Sequence, residues 1–249
     1  MEQSGARAPI VLSWSGGKDS SLALAALRAD PAYEVVGLLT SLTRDYDRIS
    51  IHGVRRALLL EQAAALELPL FEVTLEPQSS NAAYEAAFSE GVSRVRESIP
   101  GLVHVAYGDL FLEDVRAYRE RLSATVGVVP VFPIWGKPTA PLAREFIRSG
   151  YKAHLVCVDT QQLDASFAGR TFDDSLLKEL PTSVDACGEG GEFHTFVSDG
   201  PIFSRPLDVR LGEIVIRENR FAYADLLPSD AAAADSRDGS IGAESGTLS

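Results

Sequence analysis

Two short runs in this 249-residue chain concentrate glycine among hydroxyl and ionisable side chains. The first is Ser15-Gly16-Gly17-Lys18-Asp19-Ser20, which follows the apolar run Pro9 to Trp14 and leads directly into a helical pattern from Asp19 to Ala29. Two glycines without Cβ atoms let a backbone approach an anion closely and adopt positive φ. The N–H groups and positive dipole end of the helix that follows favour a pyrophosphate at that point. Lys18 can neutralise phosphate charge, Ser15 and Ser20 can donate hydrogen bonds, and Asp19 is available for Mg²⁺. An ordinary strand–turn–helix capped by Asp19 is the plainer alternative; the strand–loop–helix setting is the one a phosphate loop requires.

The second run is Asp185-Ala186-Cys187-Gly188-Glu189-Gly190-Gly191-Glu192-Phe193-His194-Thr195. Its turn is expected to bring Glu189 and Glu192 close enough to share an amine or metal or to do acid–base work, with His194 beside them. The competing reading is a tight hairpin with surface glutamates. Cys187 is either a nucleophile or a packed bystander, and Cys157, inside an apolar run, is expected in the core. His52 opens a predicted helix and could contact nucleotide. Gly108 and Asp109 follow another apolar run, and Asp109 could bind metal or adenine-side groups.

The elements that must position these residues alternate. Strands are expected at 9–14, 34–42, 70–75, 102–107 and 129–132, with helices at 19–29, about 52–66, about 81–97 and 113–126. Such alternation makes an α/β fold, a parallel sheet with helices on both faces, whose ligands bind beyond the C-terminal strand ends. After Pro133 to Pro138 the pattern loosens into a helix at 140–149, a strand at 153–158, a helix near 174–180 and two closing β-type runs at 193–198 and 209–217. The expected organisation is a phosphate-binding domain over 9–135, a smaller α+β domain over 136–228 and a disordered tail over 229–249, too poor in large apolar residues to offset its ordering entropy.

A formal net charge of −12 leaves no broad basic footprint, so nucleic acid is not expected as a partner. No apolar run approaches the roughly 20 residues that span a bilayer, and Met1 to Pro9 lacks a signal peptide's apolar stretch, so a cytoplasmic protein with no membrane partner is expected. Two cysteines are too few for a disulfide framework.

The first run is not a Walker loop, which reads Gly-x-x-x-x-Gly-Lys-Ser/Thr. It resembles the PP-loop of the ATP pyrophosphatases, the adenine nucleotide alpha hydrolase superfamily. Both runs together resemble the diphthine–ammonia ligase (diphthamide synthase) family, and the likeness continues through Tyr107 to Trp135, Gly150-Tyr151 and Leu163-Asp164 to Gly169-Arg170, roughly residues 9 to 225. The resemblance implies a Rossmann-like (HUP-type) ATP domain joined to a smaller domain, with the active site between them. It implies ATP with Mg²⁺, cleavage to AMP and pyrophosphate, and adenylation of a carboxylate that ammonia or a small amine then displaces; in members acting on elongation factor 2 that acid is diphthine. A tRNA sulfurtransferase, using Cys187, and a nucleotide-binding regulator without turnover are the rival readings. A homo-oligomer is compatible with all three.

Overall fold

The computed structural model describes residues 7–43, 48–49, 53–76 and 80–229. His52 and the expected tail beyond Ser229 lie outside the described residues.

The first half alternates β1 (Ala8–Ser13), α1 (Lys18–Ala29), β2 (Tyr33–Thr43), β3 (Arg48–Ile49), α2 (Arg56–Leu66), β4 (Leu70–Leu75), α3 (Asn81–Ser98), β5 (His104–Ala106), α4 (Glu113–Thr125) and β6 (Val129–Val131). Strands β4, β2, β1, β5 and β6 lie side by side in that order, all parallel, and β3 pairs antiparallel with the end of β2. The period-2 alternation of β1 decides what each face meets. Ile10 and Leu12 pack with Leu24 and Leu27 of α1 and Leu58 and Leu59 of α2, whereas Val11 packs with Phe88, Val92 and Val95 of α3 and Leu122 of α4. Helices therefore cover both faces, as the alternation of the sequence anticipates.

The second half comprises α5 (Thr139–Arg148), β7 (Lys152–Asp159), α6 (Asp174–Glu179), β8 (Phe193–Asp199), β9 (Val209–Arg217) and β10 (Phe221–Pro228). These strands form a separate antiparallel sheet in the order β8-β7-β10-β9. Three β-type runs close the fold where two are expected. The extra strand, β10, buries Ala222, Ala224 and Leu226 between its neighbours, and alanines at the inward positions leave little β-type signal in its sequence. Helix α2 starts at Arg56, later than the pattern of apolar residues predicts. Among the described residues no helix is long and apolar enough to cross a membrane.

The two sheets share buried side chains on the α1/α2 side, where Leu155, Phe196 and Ala222 belong to the same cluster as Ile10 and Leu58. A buried amide crosses this junction. Gln62 of α2 is fully buried; its Nε2 donates to Gly16 O (3.0 Å) and Val197 O (2.6 Å), and its Oε1 accepts from Trp14 Nε1 (2.9 Å). At the rim Arg55 makes a two-bonded contact with Asp225 of β10.

Replacing Gln62 by leucine keeps the approximate volume, leaves Trp14 Nε1 without its acceptor and takes one donor each from the Gly16 and Val197 carbonyls. Each buried group left without a partner costs about 1–3 kcal/mol. Gln62→Leu is expected to lower unfolding stability by roughly 1–3 kcal/mol in urea titrations; a change below about 0.5 kcal/mol would show that the amide is not a structural tie.

Candidate active site

Strand order reverses between β1 and β5: the chain winds outward from β1 through β2 to β4, then resumes on the other side with β5 and β6. Crevices at such switch points are where open α/β sheets hold ligands. A cavity of about 370 Å³ opens there, walled by the ends of β1 and β5, the start of α1, one face of α4 and the segment from Gly188 to Thr195.

The phosphate loop forms its floor. Gly16 has φ +78°, and a Cβ there would lie 2.8 Å from Gln62 Oε1, so glycine is required both by conformation and by space. Gly108 is needed for proximity alone, because its Cβ would come within 3.0–3.1 Å of the Asp19 and Ser20 backbone. The end of β5 can thus press against the first turn of α1. Ser15 Oγ accepts from Gly17 N and lies 3.3 Å from Ser20 Oγ. The Lys18 backbone N–H donates to Thr195 Oγ1 at 3.1 Å.

Lys18 itself is buried, yet its side chain reaches the cavity. Its Nζ donates to both Asp19 oxygens (2.9 and 2.8 Å) and to the carbonyl of Cys187 in the second glycine-rich run. Burial alone would pull the ammonium's pKa down, but the Asp19 charge and hydrogen bonds outweigh it and the net shift is upward, so Lys18 carries a full charge.

The second run faces the loop across the cavity. Asp185 organises it, its Oδ1 accepting from Cys187 N (2.8 Å) and Glu189 N (3.3 Å) and its Oδ2 from Thr139 Oγ1 (2.6 Å). Glu189 lines the cavity and its Oε1 accepts from Leu110 N (2.9 Å) and, at 3.4 Å, Phe111 N, which ties the run to the loop after β5. Burial, and secondarily the charge of Asp19, push its pKa up against those N–H bonds. His194 also lines the cavity; burial, with the Lys18 charge adding to it, lowers its pKa to about 4, so the imidazole is neutral at pH 7. Glu192 does not line the cavity. Its carboxylate sits under the turn, 5% exposed, accepting from Asp185 N through Oε1.

Of the residues singled out from sequence, Ser15, Gly17, Lys18, Asp19, Ser20, Gly108, Asp109, Glu189 and His194 meet at this cavity, and Gly16 lies behind the loop against Gln62. Cys187 is buried, and burial raises its thiol to about 12; Cys157 rises to about 11 for the same reason. Neither is a thiolate near neutrality. Among the wall residues that the sequence reading does not single out are Tyr107 and Arg119. Arg119 sits among the other charged residues of α4, and its signal is helical spacing. Leu112, Val115 and Arg119 share the stripe that faces the cavity.

Among the described residues no group of three or more His, Cys, Asp or Glu could hold a metal ion. A single carboxylate, Asp19, suits Mg²⁺, which is commonly held through one or two carboxylates plus the phosphates of a substrate.

The shift of His194 has a consequence for stability. An unfolded histidine takes up its proton near 6.5, the folded one only near 4. The contribution of the neutral imidazole is therefore complete above about pH 6.5 and is lost as pH falls through the window to about 4. His194→Asn is expected to flatten the stability profile between these limits; an NMR titration of the wild-type imidazole with a midpoint above 6 would contradict the assignment.

Residues 138–224 match the family described as Diphthamide synthase C-terminal domain. Diphthine–ammonia ligase of Homo sapiens is 28% identical over 231 residues, covering 81% of this chain and 83% of its own. The enzyme of that name from Schizosaccharomyces pombe is 26% identical over 218 residues, again 81% of this chain but 36% of its own length. That from Danio rerio is 29% identical over 171 residues, 63% of this chain and 67% of its own. The chain is similar to the diphthine–ammonia ligases over most of its length, and its residues 138–224 are similar to the C-terminal domain of diphthamide synthase.

Proposed function

We propose that this chain is an ATP-dependent ligase that adenylates a carboxylate and amidates it with ammonia, releasing AMP and pyrophosphate. The observation that carries the reading is the placement of Lys18. Its ammonium lies at the cavity between the glycine loop and the Cys187 carbonyl, where phosphate-side and acceptor-side groups meet. The names of the relatives supply the reaction class.

In this reading Ser15, Gly16, Gly17, Lys18 and Ser20 bind the ATP phosphates, and Asp19 holds Mg²⁺, which offsets phosphate charge. A carboxylate oxygen of the acid attacks the α-phosphorus while the bond from that phosphorus to the oxygen bridging the β-phosphate breaks, and pyrophosphate departs. Ammonia then attacks the acyl carbon, a C–N bond replaces the acyl C–O bond, and AMP leaves. The proton shed by the attacking nitrogen passes to Glu189 or to neutral His194, both of which line the cavity. Glu192 positions the turn that presents Glu189. We assign phosphate binding to residues 9–135 and acceptor binding mainly to residues 136–228.

The sulfurtransferase alternative requires a persulfide-forming thiolate, and a buried Cys187 at about 12 is a poor candidate. Cys187→Ala is expected to keep ATP turnover within about threefold of wild type, since the same cysteine's carbonyl, not its sulfur, meets Lys18; abolished turnover in a folded variant would return the thiol to the mechanism.

Nucleotide products resolved by ion-exchange chromatography after incubation with ATP, Mg²⁺, ammonium and cell extract are expected to be AMP and pyrophosphate, and ADP with phosphate would refute the assignment. Lys18→Ala removes a charge-assisted contact worth about 1.5–3 kcal/mol and should weaken ATP binding accordingly in calorimetry. Glu189→Gln is expected to lower kcat about 10²-fold or more while ATP affinity changes little.

A further inference from the structure

Strand β9 is the open edge of the antiparallel sheet: β10 pairs with one side of it, and among the described residues no strand pairs with the other. A bare row of edge N–H and C=O groups recruits another chain unless something blunts or covers it. Eight large apolar side chains are exposed among the described residues, and four of them, Leu211, Ile214, Val215 and Ile216, stand on this one strand. Apolar residues scattered singly over a surface need no explanation, whereas a contiguous group marks an interaction site.

The register with β10 breaks at Gly212 and Glu213, opposite Asp225, and is regular from Ile214 to Arg217. Ile214 and Ile216 lie opposite Ala224 and Ala222, so they share the face on which those alanines are buried; Val215 lies opposite Tyr223 on the other face. The isoleucines thus continue a buried apolar face beyond its last covered strand.

The order of charges says what completes this edge. Glu213 and Arg217 stand symmetrically about Val215. With two copies of β9 antiparallel and Val215 opposite Val215, Glu213 of each faces Arg217 of the other and Ile214 faces Ile216, which gathers four isoleucines into one patch. Centring the pair on Ile214 or on Ile216 instead sets Val215 against Glu213 or Arg217 and leaves the charges unmatched. Opposite charges directly across an antiparallel pair stabilise it, and a closed two-fold contact must match a surface with itself. Within the chain itself, residues 230–249 offer only Ile241 and Leu248 as large apolar side chains.

We infer that β9 is the interface for a second copy of this chain, the two antiparallel sheets joining edge to edge through residues 213–217 into one sheet of eight strands. Strand β8, which borders the candidate active site, is the opposite edge of its sheet, three strand spacings or about 14 Å away. Both cavities therefore stay open in the pair.

The test is sedimentation of the full chain between about 1 and 100 µM, because a contact of five residue pairs is small and its affinity modest. A dimer is expected at the upper end. Glu213→Arg and Arg217→Glu set like charges opposite one another and should each raise the dissociation constant at least tenfold. An equimolar mixture of the two variants, and the double variant, should restore it to within about threefold of wild type. Val215→Cys should form an intermolecular disulfide on oxidation, since opposite Cα atoms of an antiparallel pair stand about 4.5–5.5 Å apart, and the two native cysteines are buried. A monomer throughout overturns the inference; if its β9 amides then resist hydrogen exchange until residues 231–249 are removed, the occupant is the chain's own tail. A dimer that neither charge reversal weakens, or in which Val215→Cys does not cross-link, overturns it as well. Should one reversed variant fail to fold, the double variant and the cross-link still decide.

Discussion

The carbonyl of Gly16 is the point on which the two halves of the molecule depend. It accepts from Val197 N of the second sheet (2.9 Å) and from the Gln62 amide of the first layer (3.0 Å). A loop that must present several backbone N–H groups to one anion has to be held against recoil, because an adaptable loop spends binding energy on its own ordering. Here the holding is done from behind, by a side chain with no access to solvent and by a strand from another sheet. The Thr195 hydroxyl adds a third bond, to the first N–H of α1. Sequence separations of 46 residues (Gln62 to Gly16) and 177 residues (Thr195 to Lys18) make these ties long-range.

From that clasp the arrangement of the rest follows. Because β8 is bonded to the phosphate loop, the turn that precedes it must overhang the start of α1, and Asp185 and Glu192 stiffen that overhang from within. Glu189 is then left at its tip, bridging to the backbone after β5. The cavity lies between a parallel sheet and an antiparallel one, and the loops that line it leave directly from the strand and helix ends of those layers. Charges within it are arranged in pairs, Lys18 with Asp19 and Arg119 with Asp109, an arrangement that avoids lone buried ions.

Much of this was legible in the residues. Strand–helix alternation, the Gly-Gly turn and the second glycine-rich run announce the parallel sheet, the loop and the facing motif, because each is a local pattern with a local cause. What was not legible depends on contacts distant in sequence. Nothing near Glu192 distinguishes it from Glu189, yet one carboxylate supports the turn and the other meets the cavity. Gln62 reads as an ordinary helix residue until Gly16 and Val197 are brought to it. Arg119 looks like one more charge on a polar helix, and β10 hides because two of its buried positions, Ala222 and Ala224, are alanines.

The paired state of Lys18 bears on how a ligand enters. Its ammonium already holds three hydrogen-bond acceptors, two from Asp19 and one from the Cys187 carbonyl. An arriving phosphate therefore finds no vacant cation and must displace acceptors already in place, so capture is a substitution and not an addition. The enthalpy of the new bonds is largely spent on those given up, and the field that reaches solvent from a neutralised pair falls off faster than that of a single charge. A protein of net charge −12 built in this way does not draw an anionic ligand in over long range, and added salt, by screening the repulsion, should raise its association rate and not lower it.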